Sequence, residues 1–295
     1  MPASSHLRPA ATSKAVKAPL QPPPARWGED GKGQGRPTSS YRPPDARAIR
    51  AVQRRLRRQQ GPPEPRRSLP ALDQLVATVL SQHTSDINSG RAFETLKSTF
   101  PTWEEVVHAP TEDVADAIHS GGLAELKAVR IQRMLRLIEE REGRVSLDRL
   151  STVDDDEAED YLVSLPGVGP KTAACVLVFS MGRPAFPVDT HVHRVVARLG
   201  WLPPRASAED AYRLLRRQVP PDIRYDLHVA LIVHGRTICR PAAPRCDVCV
   251  VRDLCAYGSR RSERGGGGEA PLQPPPAGRR EDSNLLQRPP VGGGQ

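Results

Sequence analysis

The 295-residue sequence lacks several features that mark other classes of protein. It has no apolar run long enough to span a bilayer, and residues 1–20 lack the continuous apolar region of a secretory signal peptide. We therefore expect a cytoplasmic protein without a membrane partner. Residues 1–20 are basic and free of acidic side chains, which leaves organellar or nuclear targeting by the N-terminal tail as the alternatives. Their prolines oppose the amphipathic helix that an organellar transit peptide needs.

Apolar periodicity is also missing from both ends of the chain. Residues 1–45 are rich in Pro, Ser and basic side chains, and residues 259–295 contain runs of Gly and of Pro. Neither segment can bury enough apolar surface to offset the entropy of ordering, so we predict that both are disordered. The remaining stretch, about 210 residues, is ample for a sizeable core.

The net charge of +9 at pH 7 comes mostly from outside this core. Residues 69–258 carry 22 basic and 26 acidic side chains, so a nucleic-acid footprint there must be a local patch. Residues 46–60 predict a basic amphipathic helix with Ile49, Val52 and Leu56 on one stripe. We interpret it as a docking helix rather than a nucleic-acid or membrane arm.

The most informative stretch is LPGVGPKTAACVLVFSMGRPAFPVDTHVHR, residues 165–194. Its Gly-Val-Gly turn leads into Pro170, which suits the first position of a helix. The apolar residues 172–181 then predict a buried helix. Lys171 lies in the first turn, where a cation is unfavourable because a helix N-terminus carries partial positive charge. Taken alone, Lys171 is best interpreted as an exposed side chain that covers apolar surface.

The string VDTH at residues 188–191 changes that interpretation. An Asp ahead of a helix is ordinarily an N-cap. The whole stretch, however, resembles the helix-hairpin-helix motif and catalytic Asp of the endonuclease III family of DNA glycosylases. The resemblance implies that Lys171 is the nucleophile that attacks the sugar C1′ and that Asp189 is its acidic partner.

Cysteine is scarce, but four of the five residues lie close together. The spacing C-x6-C-x2-C-x5-C is formed by Cys239, Cys246, Cys249 and Cys255. A disulfide framework is not expected in a long chain without a secretion signal, so we interpret the group as a zinc or iron–sulfur centre. Zinc sites usually use two short Cys pairs, whereas one is present here. The spacing resembles the loop of endonuclease III and implies a structural [4Fe–4S] cluster; Cys175 is interpreted as inert core packing.

The same resemblance implies where DNA is contacted. Arg240 and Arg245 lie in the first cysteine loop, and guanidinium groups suit bidentate phosphate contact. The backbone N–H groups around Gly167 and Gly169 would hold a second phosphate, and His191 of VDTH is a further contact.

Two loops are expected to enter the duplex. The segment LSQHTSD, residues 80–86, resembles the one from which the family inserts a polar side chain into the gap left by a flipped nucleotide, and Gln82 and His83 are both candidates. Leu123 follows two glycines and corresponds to an apolar wedge. Without the resemblance, these residues would be helix-end contacts and a loop anchor.

The resemblance implies an all-α, two-lobed helix-hairpin-helix glycosylase fold. In such a fold, residues 73–183 would form a six-helix domain, and residues 46–72 would pack with 184–258 as the cluster domain. Further helices are predicted by periodicity, at residues 72–80, 88–99, 111–118, 125–141, 190–199, 208–218 and 225–235.

The expected partner is double-stranded DNA that contains damaged bases or abasic sites, bound by a monomer in the bacterial cytoplasm. The expected activity is removal of oxidised pyrimidines through a Lys Schiff base, followed by cutting of the strand 3′ to the lesion. Two alternatives stay open at this point: a non-catalytic protein that senses DNA damage, and a bifunctional glycosylase for another lesion such as pyrimidine dimers.

Overall fold

The computed structural model describes residues 41–62 and 68–264, and the regular structure in these ranges is helical throughout. The α-helices are α1 (Ala46–Gln60), α2 (Ala71–Leu80), α3 (Asp86–Thr99), α4 (Trp103–His108), α5 (Thr111–Ala117), α6 (Ala124–Glu142), α7 (Asp155–Val163), α8 (Pro170–Cys175), α9 (Thr190–Leu199), α10 (Ala208–Gln218), α11 (Arg224–Thr237) and α12 (Ala256–Arg264). Within these ranges, none of the helices has both the length and the apolarity needed to traverse a membrane.

Helix α2 is the centre of the first group of helices. It packs against α3, α6 and α8, and every residue from Leu72 to Leu80 except Asp73 is buried. Its two buried polar side chains are hydrogen-bonded within the helix. Gln74 Nε2 donates to Thr78 Oγ1 at 3.1 Å, and the Thr78 hydroxyl donates to the backbone carbonyl of Gln74. A helix that is apolar all round belongs in a core, and α2 occupies that place.

A buried cation joins the end of α2 to the start of α6. Lys127 is 3% exposed, and its Nζ donates to Leu80 O at 2.7 Å and to Gly121 O at 2.8 Å. Burial, assisted by the charge of Arg130, lowers the pKa of Lys127. Both carbonyls lie at the ends of helical turns, where they have no partner within their own helix. The side chain therefore fixes the distance between the loops that follow residues 80 and 121.

Helices α1, α9, α10, α11 and α12 form the second group. The predicted stripe of Ile49, Val52 and Leu56 is fully buried, and α1 packs against α11. Ion pairs support this docking, among them Arg50 with Asp222 at 2.7 Å. The basic helix is thus a docking element, as the apolar stripe predicted.

Three details differ from the sequence prediction. The six-residue helix α4 was not predicted, because it is too short to show periodicity; it is stabilised by a capping box of Thr102 and Glu105. The predicted helix 172–181 is α-helical only to Cys175 and continues as a π-helix over Val176–Ser180. Helix α12 continues to Arg264, beyond the tail boundary predicted at residue 258. The predictions for residues 1–40 and 265–295 lie outside the described residues.

Replacing Lys127 by Met should lower the free energy of unfolding by about 1–3 kcal/mol, because two buried carbonyls lose their donor. Urea unfolding measures the change. Lys97→Met is the matched control, since that ammonium donates to Pro101 O on the surface; it should cost less than about 1 kcal/mol. Equal losses in the two variants would contradict a special role for the buried ammonium.

Candidate active site

The predicted hairpin lies between α7 and α8. Gly167 has a φ of +80°, in the left-handed region that favours glycine, and Gly169 is the extended N-cap of α8. Pro170 occupies the first helical position, as its fixed φ favours. Lys171 follows in the first turn and is half-buried, with its side chain at the N-terminal end of the helix.

Asp189 caps the next helix of the site. Its Oδ1 accepts a hydrogen bond from the backbone N–H of Val192 at 2.7 Å, at the start of α9. The ordinary interpretation of this residue as an N-cap is therefore correct. Capping occupies one carboxylate oxygen and leaves the half-buried group at the edge of the site, so it does not conflict with a role in chemistry.

Lys171 and Asp189 share two buried neighbours. The positive charge of Lys171 lowers the pKa of the Cys175 thiol and of the His228 imidazole, and the negative charge of Asp189 raises both. Cys175 is one helical turn beyond Lys171 on α8, and burial raises the pKa of the thiol while the nearby charge of Lys171 opposes that rise. Cys175 is thus buried, as predicted, but it belongs to the surroundings of the lysine rather than to a remote part of the core.

His228 supports the loop that ends at Asp189. Its Nδ1 lies 2.9 Å from Pro187 O, and because a carbonyl can only accept, this nitrogen carries the proton. The rings of Phe179 and Phe186 contact the imidazole edge-on. Burial lowers the pKa of His228 to about 4, so the ring is neutral at neutral pH. No sequence signal identified this residue, because its backbone partner lies 41 positions away.

The two loops predicted to enter DNA have unusual backbones. His83 has a φ of +57° and Leu123 a φ of +53°, values that are uncommon outside glycine. Both side chains are exposed, Leu123 by 53%. Gln82 is half-buried instead, and its Oε1 accepts a hydrogen bond from Arg130 Nη1 at 2.9 Å. Of the two candidates left open by the sequence, His83 is the one that protrudes.

Leu123 is not the only large apolar side chain that is exposed in the described residues. Besides Leu123, the large apolar residues that are exposed in the described part of the chain are Ile87 at the start of α3 and Leu126 and Val129 on α6. These residues were not predicted to be exposed, because a single apolar side chain in a helical sequence gives no signal of exposure.

The four clustered cysteines line one cavity at the ends of α9 and α11, together with His234. In the described chain, no three His, Cys, Asp or Glu side chains are arranged to hold a single metal ion. Iron–sulfur clusters are held by four cysteine thiolates, and four thiols line this one cavity. The donor set therefore fits an iron–sulfur cluster.

Arginines of α9 hold the cysteine loop. Arg198 donates to Cys239 Sγ at 3.3 Å and to the carbonyls of Arg240 and Pro241, both at 2.7 Å. The side chains of Arg240 and Arg245 are exposed, as a phosphate contact requires.

His191 is linked to the same loop through Arg194. Arg194 donates to Cys239 O at 3.0 Å and to Gly235 O at 2.8 Å, and its Nη2 lies 3.1 Å from His191 Nδ1. Burial, with the charges of Arg194 and Arg236, lowers the pKa of His191. The start of α9, which carries Asp189, is thereby tied to the cysteine loop.

A family profile and a solved structure define the class of protein to which the chain belongs. The profile of the HhH-GPD superfamily of base excision DNA repair proteins matches residues 76–221. A structure of a non-covalent endonuclease III–DNA complex superimposes with a TM-score of 0.64 at 28% identity, covering 75% of this chain and 99% of that one. The predicted all-α, two-lobed helix-hairpin-helix fold is confirmed.

Sequence relatives narrow the class. Endonuclease III of Thermotoga maritima is 36% identical over 189 residues, 64% of this chain and 84% of the relative. Endonuclease III of Escherichia coli K12 is 35% identical over 62% of this chain and 82% of the relative. A putative DNA glycosylase of Arabidopsis thaliana is 42% identical, and the chain spans 56% of its length. The chain belongs to the endonuclease III family and is a DNA glycosylase of base excision repair.

The buried His228 predicts a loss of stability in acid. Its pKa of about 4 in the folded chain lies below the ordinary value near 6.5, so the unfolded chain binds the proton first as the pH falls. Stability is therefore lost between pH 6.5 and pH 4, by about 1–2 kcal/mol from pH 7 to pH 5.

The control for this loss is His228→Asn, whose amide keeps a donor for Pro187 O and does not titrate. Urea unfolding of both proteins at pH 7, 6 and 5 isolates the contribution of the imidazole. The same pH dependence in the two proteins would contradict the neutral, buried ring.

Proposed function

We propose that the protein is a bifunctional glycosylase and abasic-site lyase that removes oxidised pyrimidines from double-stranded DNA. One observation carries the proposal. Lys171 at the start of α8 and Asp189 at the start of α9 are both half-buried, and the charges of both influence the pKa of the same two buried groups, Cys175 and His228. An amine and a carboxylate at one site are the pair that Schiff-base chemistry on a sugar requires.

Lys171 is the proposed nucleophile. The chain has six lysines, and three of them lie in the described ranges. Among those three, Lys127 is engaged by two carbonyls in the core and Lys97 donates to a surface carbonyl. Lys171 is the described amine that shares its surroundings with Asp189.

The reaction begins when the damaged nucleotide is flipped out of the stack. The nitrogen of Lys171 forms a bond to C1′ through its lone pair as the bond from C1′ to the base breaks, and the base leaves with the electron pair and takes up a proton. The sugar ring then opens to a protonated imine on Lys171. Loss of a proton from C2′ expels the 3′-phosphate, which cuts the strand 3′ to the lesion.

Asp189 is proposed to stabilise the positive charge that develops on the sugar as the base leaves. The cap bond to Val192 and the bond from His228 to Pro187 O hold the carboxylate in place, so little reorganisation is needed during the reaction. A structural neighbour described as a trapped covalent intermediate of endonuclease III with DNA supports this chemistry.

The DNA contacts are proposed on exposure and backbone geometry. The N–H groups around Gly167 and Gly169 would hold one phosphate and the guanidinium groups of Arg240 and Arg245 others. His83 would enter the gap left by the flipped nucleotide, and Leu123 would separate the neighbouring bases. These contacts read shape rather than sequence, which suits an enzyme that searches all DNA.

Borohydride tests the nucleophile. Reduction of the imine during reaction with abasic-site DNA should trap a covalent protein–DNA adduct, seen as a shifted band on a denaturing gel. Lys171→Gln should abolish trapping and strand cutting while duplex binding is retained, because the amine is lost and the bulk is kept. Lys97→Gln, which removes an amine elsewhere, should trap at the wild-type rate. Trapping by Lys171→Gln at that rate would show that another amine does the chemistry.

We also propose that Cys239, Cys246, Cys249 and Cys255 hold a [4Fe–4S] cluster. When bound, the cluster would cross-link the loop and supply structural stability rather than a reaction step. Arg198 also holds the start of this loop, because it donates to the carbonyls of Arg240 and Pro241.

Purified protein should be yellow-brown, and Cys249→Ser should be colourless and poorly soluble, because cluster binding is coupled to folding. Cys175→Ser is the control, since that buried thiol lies on α8 and should leave the colour unchanged. Visible absorption and iron analysis of anaerobically purified protein give the result. Stoichiometric zinc without iron would overturn the assignment.

A further inference from the structure

Arg130 is a side chain on α6 that no part of the proposed chemistry uses. It is half-buried, and its guanidinium Nη1 donates to Gln82 Oε1 at 2.9 Å. This bond fixes the orientation of the Gln82 amide, because its oxygen is held by the guanidinium and its NH2 group must face the other way. The backbone N–H of Gln82 is also bound, to Val79 O at 3.2 Å. The loop is therefore held just before His83.

The stem of Arg130 lies on the hairpin. A Cβ atom added to Gly167 would lie 2.3 Å from Arg130 Cδ and 2.7 Å from its Nε, well inside van der Waals contact. The side chain of Arg130 therefore occupies the space that any residue other than glycine would need at position 167. The φ of +80° at that position gives glycine a second, independent advantage.

These contacts bring two distant segments of the chain to one side chain. The loop that carries His83 follows α2, and the hairpin precedes α8. The proposed role of the hairpin is to hold a backbone phosphate, and that of the loop is to enter the gap in the duplex. A shift of either segment would disturb the position of Arg130 and hence the other segment.

We propose that Arg130 is a positioning residue that couples the grip of the hairpin on the phosphate backbone to the seating of the loop 81–85 in the gap of the damaged duplex. The proposal rests on the DNA contacts of the proposed function. It assigns to Arg130 a part in selecting damaged over undamaged DNA, without contact to the reacting atoms.

A double-mutant cycle tests the coupling. Arg130→Met keeps an unbranched stem over Gly167 and removes the donor, and Gln82→Leu removes the acceptor. The affinity of each variant is measured for an undamaged duplex and for the same duplex with a tetrahydrofuran analogue of an abasic site. Each single substitution should reduce the preference for the analogue by roughly three- to tenfold, the range expected for one hydrogen bond. The double variant should show no further loss.

Affinity for undamaged duplex should stay within about twofold in these variants, because the hairpin amide groups remain. Arg133→Met is the control: this exposed arginine is one turn along α6, and its loss removes the same charge. It should change binding to both duplexes equally and leave the preference unaltered. Arg130→Lys, which keeps a donor, should restore part of the preference.

Two outcomes would overturn the proposal. If the effects of Arg130→Met and Gln82→Leu add in the double variant, the two side chains act independently. If Arg130→Met weakens binding to the undamaged and the abasic-site duplex by the same factor, Arg130 is a phosphate contact and no more. The tetrahydrofuran analogue cannot form an imine, so these binding results do not depend on Lys171. Failure of the lyase proposal would instead appear as absent borohydride trapping by the wild-type protein.

Discussion

A buried ammonium group joins the two loops that are proposed to meet DNA. A cation in the core is stable only where its donors find partners, and Lys127 finds them in the carbonyls of Leu80 and Gly121. These carbonyls end two helical segments, and the ammonium also opposes the partial negative charge at the C-terminus of α2. Because His83 and Leu123 follow within three residues of them, the positions of both protruding side chains are determined inside the core.

The two groups proposed to react are both placed by helix N-termini. Lys171 and Asp189 both lie at helix N-termini, where the first backbone N–H groups have no partner within the helix and can orient the groups placed there. The loop between them is held at several points: Arg183 N donates to Leu177 O, and His228 donates to Pro187 O before the cap bond of Asp189. Short connections with bound backbones leave the carboxylate few alternative positions.

The parts that the sequence predicted are those encoded by neighbouring residues. The hairpin, the cap at Asp189, the stripe that docks α1 and the cysteine spacing each occupy one short window. Periodicity and capping rules predicted the stripe and the cap, and family resemblance assigned the chemical roles of the hairpin, Asp189 and the cysteines. Lys127, Arg130 and His228 were not predicted, because each has a hydrogen-bond partner 41 to 48 positions away. The choice between Gln82 and neighbouring His83 also needed backbone angles, which composition and periodicity do not encode.

The cap at Asp189 has an evolutionary consequence. Asn caps helices about as well as Asp, so the exchange of this carboxylate for an amide would leave α9 with its N-terminal bond. Selection for a folded protein would therefore not remove such a lineage, although its sugar chemistry would lose the negative charge. With the proposed role of Asp189, one codon change would therefore separate this enzyme from a folded protein that binds lesions and removes them slowly, and selection for repair would be what retains the acid.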